Sequence, residues 1–242
     1  MQDAVLTVVV PCFNEEATIV TTLKRVLDSP FTGEVLVVDD GSSDASIEVV
    51  ERLDDTRVRL LRQPENRGKG AALRRGFAEA SLPYVLVQDA DLEYDPSDYP
   101  TLLAPLLADD ADVVFGSRFM SGHPHRVLYF WHSVGNRFLT LVSNAFTNLN
   151  LTDMETGYKV FRREVLQSFE LEEERFGIEP ELTAKCAAGG WRIYEVGISY
   201  RGRTYAEGKK IGWRDGVHAI TSIVRYSPIG VRLRAAARGR VG

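Results

Sequence analysis

Cysteine is nearly absent. The chain's 242 residues hold two, Cys12 and Cys186, matching neither a disulfide framework nor the paired spacing of a zinc site. Free thiols in a reducing compartment are the simplest expectation. Long apolar runs are also missing. The longest uncharged stretch, residues 138–152, is interrupted by Asn144, Asn148 and Asn150, whereas a spanning helix needs about 20 mainly apolar residues. No basic region precedes the first apolar run, so no secretory signal is expected. No Walker loop or dinucleotide fingerprint follows the first strand. Histidine is scarce, and no Ser-His-Asp or Cys-His arrangement is legible by spacing. His123-Pro124-His125 reads as a loop, and His132 and His218 fall in helical segments and read as structural.

The composition that remains is 44% hydrophobic and 26% charged, which excludes disorder, collagen and coiled coil. The net charge is −5 and unevenly spread: five Arg against one Asp put +4 on residues 215–242, leaving −9 on the rest. An acidic body excludes a general nucleic-acid binder. The length fits one or two domains at about 150 residues each, and without a repeat or a low-complexity linker it reads as one domain, residues 1–242.

Apolar strands alternate with helices through the first half. Strands are expected at residues 5–10, 34–38, 58–61, 84–87 and 112–115, and helices at 15–27, 44–53, 70–80 and 99–107. Such a pattern gives an α/β fold with a mostly parallel sheet covered on both faces, and ligands bind beyond the carboxyl ends of its strands. The polar clusters Asn14-Glu15, Asp39-Asp40, Asp89/Asp91 and Ser117-Arg118 fall there. The second half has a long aromatic helix over 127–146, with Val127, Trp131, Val134, Phe138, Leu141 and Ala145 on one face. A short strand at 157–161, a helix at 180–188, a strand at 191–200 and a helix at 213–226 follow.

Asp89-Ala90-Asp91 is the sharpest chemical signal. Two carboxylates one residue apart at a strand end can turn toward one divalent cation, Mg²⁺ or Mn²⁺, with Glu93 as a third oxygen donor. Taken alone, Asp-x-Asp also describes a solvated turn. Asp39-Asp40-Gly41 closes the second strand, where an acidic residue accepts hydrogen bonds from a ribose or base, while Ser43 or Asp44 caps the next helix. Gly68-Lys69-Gly70 opens a helix whose N-terminus, with Lys69, suits an anion or is a plain surface helix start. Arg201, Arg203, Lys209 and Lys210 lie in a glycine-punctuated loop, of a kind that either closes over diphosphates or stays solvated.

Together, Val8-Val9-Val10-Pro11-Cys12-Phe13-Asn14-Glu15-Glu16, Val38-Asp39-Asp40-Gly41-Ser42-Ser43-Asp44, Asn66-Arg67-Gly68-Lys69-Gly70 and Gln88-Asp89-Ala90-Asp91-Leu92 resemble family 2 glycosyltransferases of the A-type, Rossmann-like fold. Gly116-Ser117-Arg118, the segment from Asp153 to Phe161 and the segment from Arg203 to Lys209 resemble the polyprenyl-phosphate sugar synthases, including the dolichyl-phosphate mannose and glucose synthases. The resemblance implies antiparallel additions to the sheet in the second half. It divides the domain into a nucleotide-sugar half (1–120), an acceptor half (121–226) and a basic tail (227–242). It places Pro11, Asn14, Glu15, Asp39, Asp40, Lys69, Asp89 and Ala90 around the nucleotide sugar, and Asp89, Asp91 and Glu93 on the metal. Arg118, Ser133 and Asn136 would receive the acceptor phosphate, and Asp91, Arg118, Arg203 and Lys209 would carry catalysis. Mannose synthases often have Gln where Glu93 stands and Ser where Gly208 stands, so the donor sugar is left open.

The implied reaction is a single in-line displacement with inversion, the metal and basic loop stabilising the departing nucleoside diphosphate. A phosphate acceptor needs no base. A hydroxyl acceptor would, and Glu179 or Glu181 sits where the family places one. A sugar nucleotidyltransferase is a rival, although Pro11-Cys12-Phe13-Asn14 stands where it would carry a glycine-rich loop. A nucleotide-sugar sensor without catalysis is another. A polyprenyl acceptor implies a cytoplasmic protein held peripherally at the membrane. The aromatics of residues 127–146 and Arg232, Arg234, Arg238 and Arg240 are the candidate contacts, and they leave room for a membrane-protein partner.

Overall fold

The computed structural model describes residues 4–120, 126–127, 129–202 and 213–231. Seven strands form one sheet: β1 (Leu6–Cys12), β2 (Thr32–Asp39), β3 (Val58–Arg62), β4 (Tyr84–Val87), β5 (Val113–Ser117), β6 (Lys159–Arg162) and β7 (Ile193–Gly197), in the order β3-β2-β1-β4-β6-β5-β7. All neighbours are parallel except β6, which runs antiparallel between β4 and β5. The second-half addition is therefore wedged into the sheet, and it separates the ends of β4 and β5.

The sheet is accompanied by helices α1 (Ile19–Leu27), α2 (Ser46–Glu51), α3 (Lys69–Glu79), α4 (Tyr99–Leu107), α5 (Phe130–Thr147), α6 (Arg163–Gln167), α7 (Ile178–Ala188) and α8 (Trp213–Tyr226), with a 3-10 turn at Pro96–Asp98. The period of two along each strand sorts side chains onto two cores. Val8, Val10, Val35, Val37 and Leu86 join Leu23, Val26, Tyr99 and Leu102 on one face. Val9, Leu36, Val38, Val85 and Val87 join Leu73, Phe77, Ile178 and Leu182 on the other. Burial on both faces is why these strands are continuously apolar in sequence.

Several boundaries differ from the expected ones. Residues 15–18 form a turn, closed by Thr18 and Ile19 N–H groups donating to the Glu15 carbonyl, and α1 starts only at Ile19. The expected strand 191–200 is paired in β7 only over Ile193–Gly197, and Tyr200 makes an isolated bridge to Tyr94. The helix α6 was not anticipated, being too short to show a period.

The largest departure is α5. Its expected apolar face is turned outward: Val127 just before it, then Trp131, Val134, Phe138, Leu141 and Ala145, are exposed, Trp131 by 79%. The fully buried residues of α5 are Asn136, Thr140, Ser143 and Thr147. Phe146 packs on the core, half-buried beside Leu139 and Val142. The helix is seated by hydrogen bonds. Asn144 Nδ2 donates to the Leu151 carbonyl, and Leu151 N–H donates back to Asn144 Oδ1.

Candidate active site

The strand ends carry the predicted acids, as the fold requires. At β1 and β2 the loops are laced together. Ser43 N–H donates to Asn14 Oδ1 at 2.8 Å, Asn14 N–H to Ser42 Oγ and Glu15 N–H to Ser46 Oγ. Asn14 holds φ +54°, a left-handed conformation that asparagine tolerates. Asp39 and Asp40 are 1% and 3% exposed. Asp39 accepts from the N–H groups of Gly41 and Ser42. Asp40 accepts from Gln63 Nε2, Arg67 N–H and Gly68 N–H, the last at 2.7 Å. Both acids thus shape the floor and the entry to α3. Gly68, at φ +103° and against the Glu174 carbonyl, leaves no room for a side chain.

Lys69 follows at the start of α3 and reaches across the sheet. Its Nζ lies 2.8 Å from Asp89 Oδ1 and 3.1 Å from Glu179 Oε1. Burial opposes its charge, but the two carboxylates outweigh burial and hold the ammonium well above the usual lysine range. Thr22 Oγ1 donates to the Ala90 and Asp91 carbonyls and fixes the carboxylate loop. Asp91 Oδ1 accepts from Glu93 N–H, and Glu93 Oε2 accepts from Tyr200 O–H at 2.7 Å. Among the described residues no three acids converge as a metal site. Asp89 faces Lys69 and Glu93 faces Tyr200, while Asp91, 8% exposed, lies between them on the same loop.

The segment 153–157 closes the site between β4 and β5. Arg118, at the end of β5, donates to Asp153 through Nε at 2.6 Å and Nη2 at 2.7 Å, and its guanidinium lies over the Tyr200 ring. Asn136 Nδ2 donates to the same carboxylate, Thr140 Oγ1 donates to Asn136 Oδ1, and Met154 N–H donates to Thr140 Oγ1. The structure therefore brings Arg118 and Asn136 together on Asp153, with Ser133 half-buried one turn earlier on α5. Of the pair Glu179 and Glu181, only Glu179 faces Asp89. Glu181 is fully buried, and its oxygens accept from Glu172 N–H, Glu173 N–H and Lys185. Arg203, Lys209, Lys210, His123, His125 and residues 232–242 lie outside the described residues.

Sequence reasoning assigned no role to Gln88, Tyr94 or Gly157. Gln88 Oε1 accepts from Tyr99 O–H and Tyr158 O–H, beneath the carboxylate loop. Gly157 N–H donates to the Tyr94 hydroxyl, and a Cβ at Gly157 would stand 2.5 Å from Asp89 Oδ2. Gly157→Ala is expected to push Asp89 aside and lower turnover by about tenfold or more, because small misplacements of reacting groups are costly. Steady-state kinetics at saturating donor, with circular dichroism confirming the fold, checks this. Unchanged turnover would mean that Asp89 is not fixed by this contact.

Acids at the strand ends, a half-buried lysine joining Asp89 to Glu179 and an arginine just past β5 sit on a sheet of the A-type glycosyltransferase fold. The profile of Glycosyl transferase family 2 matches residues 7–169, and the chain belongs to that family. It is a glycosyltransferase. It is 30% identical over 232 residues to an undecaprenyl-phosphate mannosyltransferase of Micrococcus luteus, covering 90% of this chain and 92% of that one. It is 29% identical to a dolichol-phosphate mannosyltransferase of Pyrococcus furiosus, covering 85% of this chain and 60% of that one. The fold superposes on glucosyl-3-phosphoglycerate synthase of Mycobacterium tuberculosis, crystallised with Mn²⁺, UDP and glucosyl-3-phosphoglycerate, with TM-score 0.72 at 22% identity, covering 93% of this chain and 80% of that one.

Proposed function

We propose that the protein transfers a hexose from a nucleoside-diphosphate sugar to a polyprenyl phosphate at the cytoplasmic membrane face, with inversion, as one domain whose first half holds the donor. The observation that carries this reading is the reversed polarity of α5. Its apolar face is open, while its buried polar face grips Asp153 and, through it, Arg118. An acceptor with its tail in lipid and its phosphate at the site needs that pairing of an apolar outer surface with a cation beneath. The Asp153 bonds use Nε and Nη2 of Arg118, so the Nη1 edge is the one an acceptor phosphate would meet, with Ser133 and Asn136 alongside.

Pro11, Asn14, Glu15, Asp39, Asp40, Lys69 and Ala90 belong to the donor end in this reading, and Arg203 and Lys209 close on the diphosphate. Mg²⁺ or Mn²⁺ usually binds one or two protein carboxylates together with substrate phosphates. Asp91, past the end of β4 and one residue after Ala90, would hold the ion in this reading, with Asp89 beside it at the diphosphate end. Bound there, the ion would neutralise the departing diphosphate. A phosphate acceptor is anionic at neutral pH, so its attack requires no proton transfer. A hydroxyl acceptor is the second reading, favoured by the placement of Glu179 beside Lys69, where a base would stand.

A screen of UDP- and GDP-hexoses against undecaprenyl phosphate and dolichyl phosphate, with free sugar and glycolipid hydroxyls in parallel, tests the reading by mass spectrometry. A hexosyl polyprenyl phosphate supports it, and a product formed only on a hydroxyl replaces it with the second. Among the described residues no helix is long and apolar enough to cross a membrane, and in this reading the exposed α5 face makes the contact with lipid. Burying one large apolar side chain is worth roughly 1.5–3 kcal/mol. Trp131→Ala with Phe138→Ala is therefore expected to reduce sedimentation with anionic liposomes by about tenfold or more while donor binding stays intact. Equal sedimentation of native and altered chains would remove α5 from the contact.

A further inference from the structure

Three buried polar atoms beside Asp89 have no hydrogen-bond partner: Glu155 Oε1, Thr156 Oγ1 and Glu179 Oε2. They belong to one neighbourhood. Thr156 is 0% exposed and Glu179 is 7% exposed. Lys69 ties Glu179 to Asp89, and the residue after Thr156, Gly157, abuts Asp89 Oδ2. From the sheet side, Lys159 at the start of β6 holds the segment in place, its Nζ donating to the Met154 carbonyl at 3.0 Å and to the Thr156 carbonyl. Lys159 itself is buried over the Phe115 ring. Burial, with Glu179 next to it, raises the Glu155 carboxyl above the usual carboxylate range, and burial lowers the Lys159 ammonium.

Orphaned buried acceptors are rare in native proteins and call for a partner that the chain does not supply. The chemistry of the set selects that partner. Two carboxyl groups disfavour a phosphate, and they do not form a metal cluster among the described residues. They suit a ligand whose neutral hydroxyls both donate and accept, since Glu179 can accept while Thr156 and a protonated Glu155 can also donate. We infer that Glu155, Thr156 and Glu179 form a hydroxyl-reading recess that takes the hexose ring of the donor and sets which sugar is accepted. The inference rests on the proposed use of a nucleotide hexose and adds to it the residues that discriminate among hexoses.

Calorimetric titration separates the sugar from its nucleotide. The probes are UDP- and GDP-hexoses, the matching UDP and GDP, and deoxy analogues of the tightest-binding hexose. Glu155→Leu and Thr156→Val are each expected to weaken the nucleotide hexose by about tenfold, as for a lost hydrogen bond to a buried site, while the nucleoside diphosphate holds within about twofold. On the native chain, one deoxy analogue should bind about tenfold more weakly than its parent, with no further loss in the corresponding variant. Equal weakening of hexose and diphosphate overturns the inference. So does a native chain that binds every deoxy analogue as tightly as its parent, which would mean an ordered water only. Where a variant fails to fold, the analogue series on the native chain decides. If no polyprenyl phosphate is glycosylated yet the binding pattern holds, the acceptor reading falls and the recess stands.

Discussion

Replacing Asp153 by alanine is expected to destabilise the protein by about 3–5 kcal/mol, the range for stranding one partner of a buried ion pair. Asp153 is 0% exposed, and the Arg118 side chain beside it is 9% exposed. The carboxylate accepts from Arg118 Nε, Nη2 and backbone N–H and from Asn136 Nδ2. Removing it leaves a buried guanidinium without a counter-charge and frees the inner face of α5 from the segment it grips. Arg118→Met should have an effect of the same order, because Asp153 is then the stranded charge. The double variant should lose less than the two singles together, since the same interaction is removed twice. Urea unfolding followed by circular dichroism measures all three. A loss below about 1 kcal/mol for Asp153→Ala would show that the pair contributes no more than a surface ion pair does.

Asp91→Ala is expected to lower transfer by about 10²-fold or more, the scale of removing one preorganised charge-stabilising element from a reaction centre. Glu93→Gln should lower it much less, because Glu93 Oε2 is engaged by the Tyr200 hydroxyl and an amide oxygen still accepts that bond. The contrast separates a metal-holding acid from a structural one in the same run of three residues. Initial rates measured across a titration of Mn²⁺ or Mg²⁺ should show a raised metal requirement for Asp91→Ala and a near-native one for Glu93→Gln. Full transfer by Asp91→Ala in excess EDTA would remove Asp91 from the role.

Much of the scaffold was legible because local chemistry carries it. The strand at residues 84–87 and the helix at 99–107 were read to the residue. The first is an apolar run stopped by Gln88-Asp89, and the second an apolar run opened by a proline. The strand-end rule also placed Asp39, Asp40, Asp89 and Asp91 at one edge. What engages each acid was not legible. Lys69 joins Asp89 to Glu179, and Tyr200 reaches Glu93 across 107 residues, by tertiary pairings that leave no local trace. The roles of Asp153 and Gly157 likewise depend on β6 being wedged between β4 and β5. For α5, the period correctly told which residues share a face, but a period does not say which face is turned inward, here against α7 and α8. The conflict was present in the sequence all the same, since Asn136, Thr140, Ser143 and Thr147 form a polar stripe of helical spacing.

The outward face of α5 has a calorimetric signature. Phe130, Trp131, Phe138 and Leu141 are wet in the folded protein, at 54–79% exposure, as they are in the unfolded chain. They therefore add little to the heat-capacity change of unfolding, which tracks apolar surface newly exposed to water. A bilayer that takes up this face withdraws it from water, so association would carry a negative heat-capacity change. Apolar burial of this kind weakens on cooling. Membrane residence resting on these side chains would therefore fall in the cold, independently of the salt dependence that charged contacts impose.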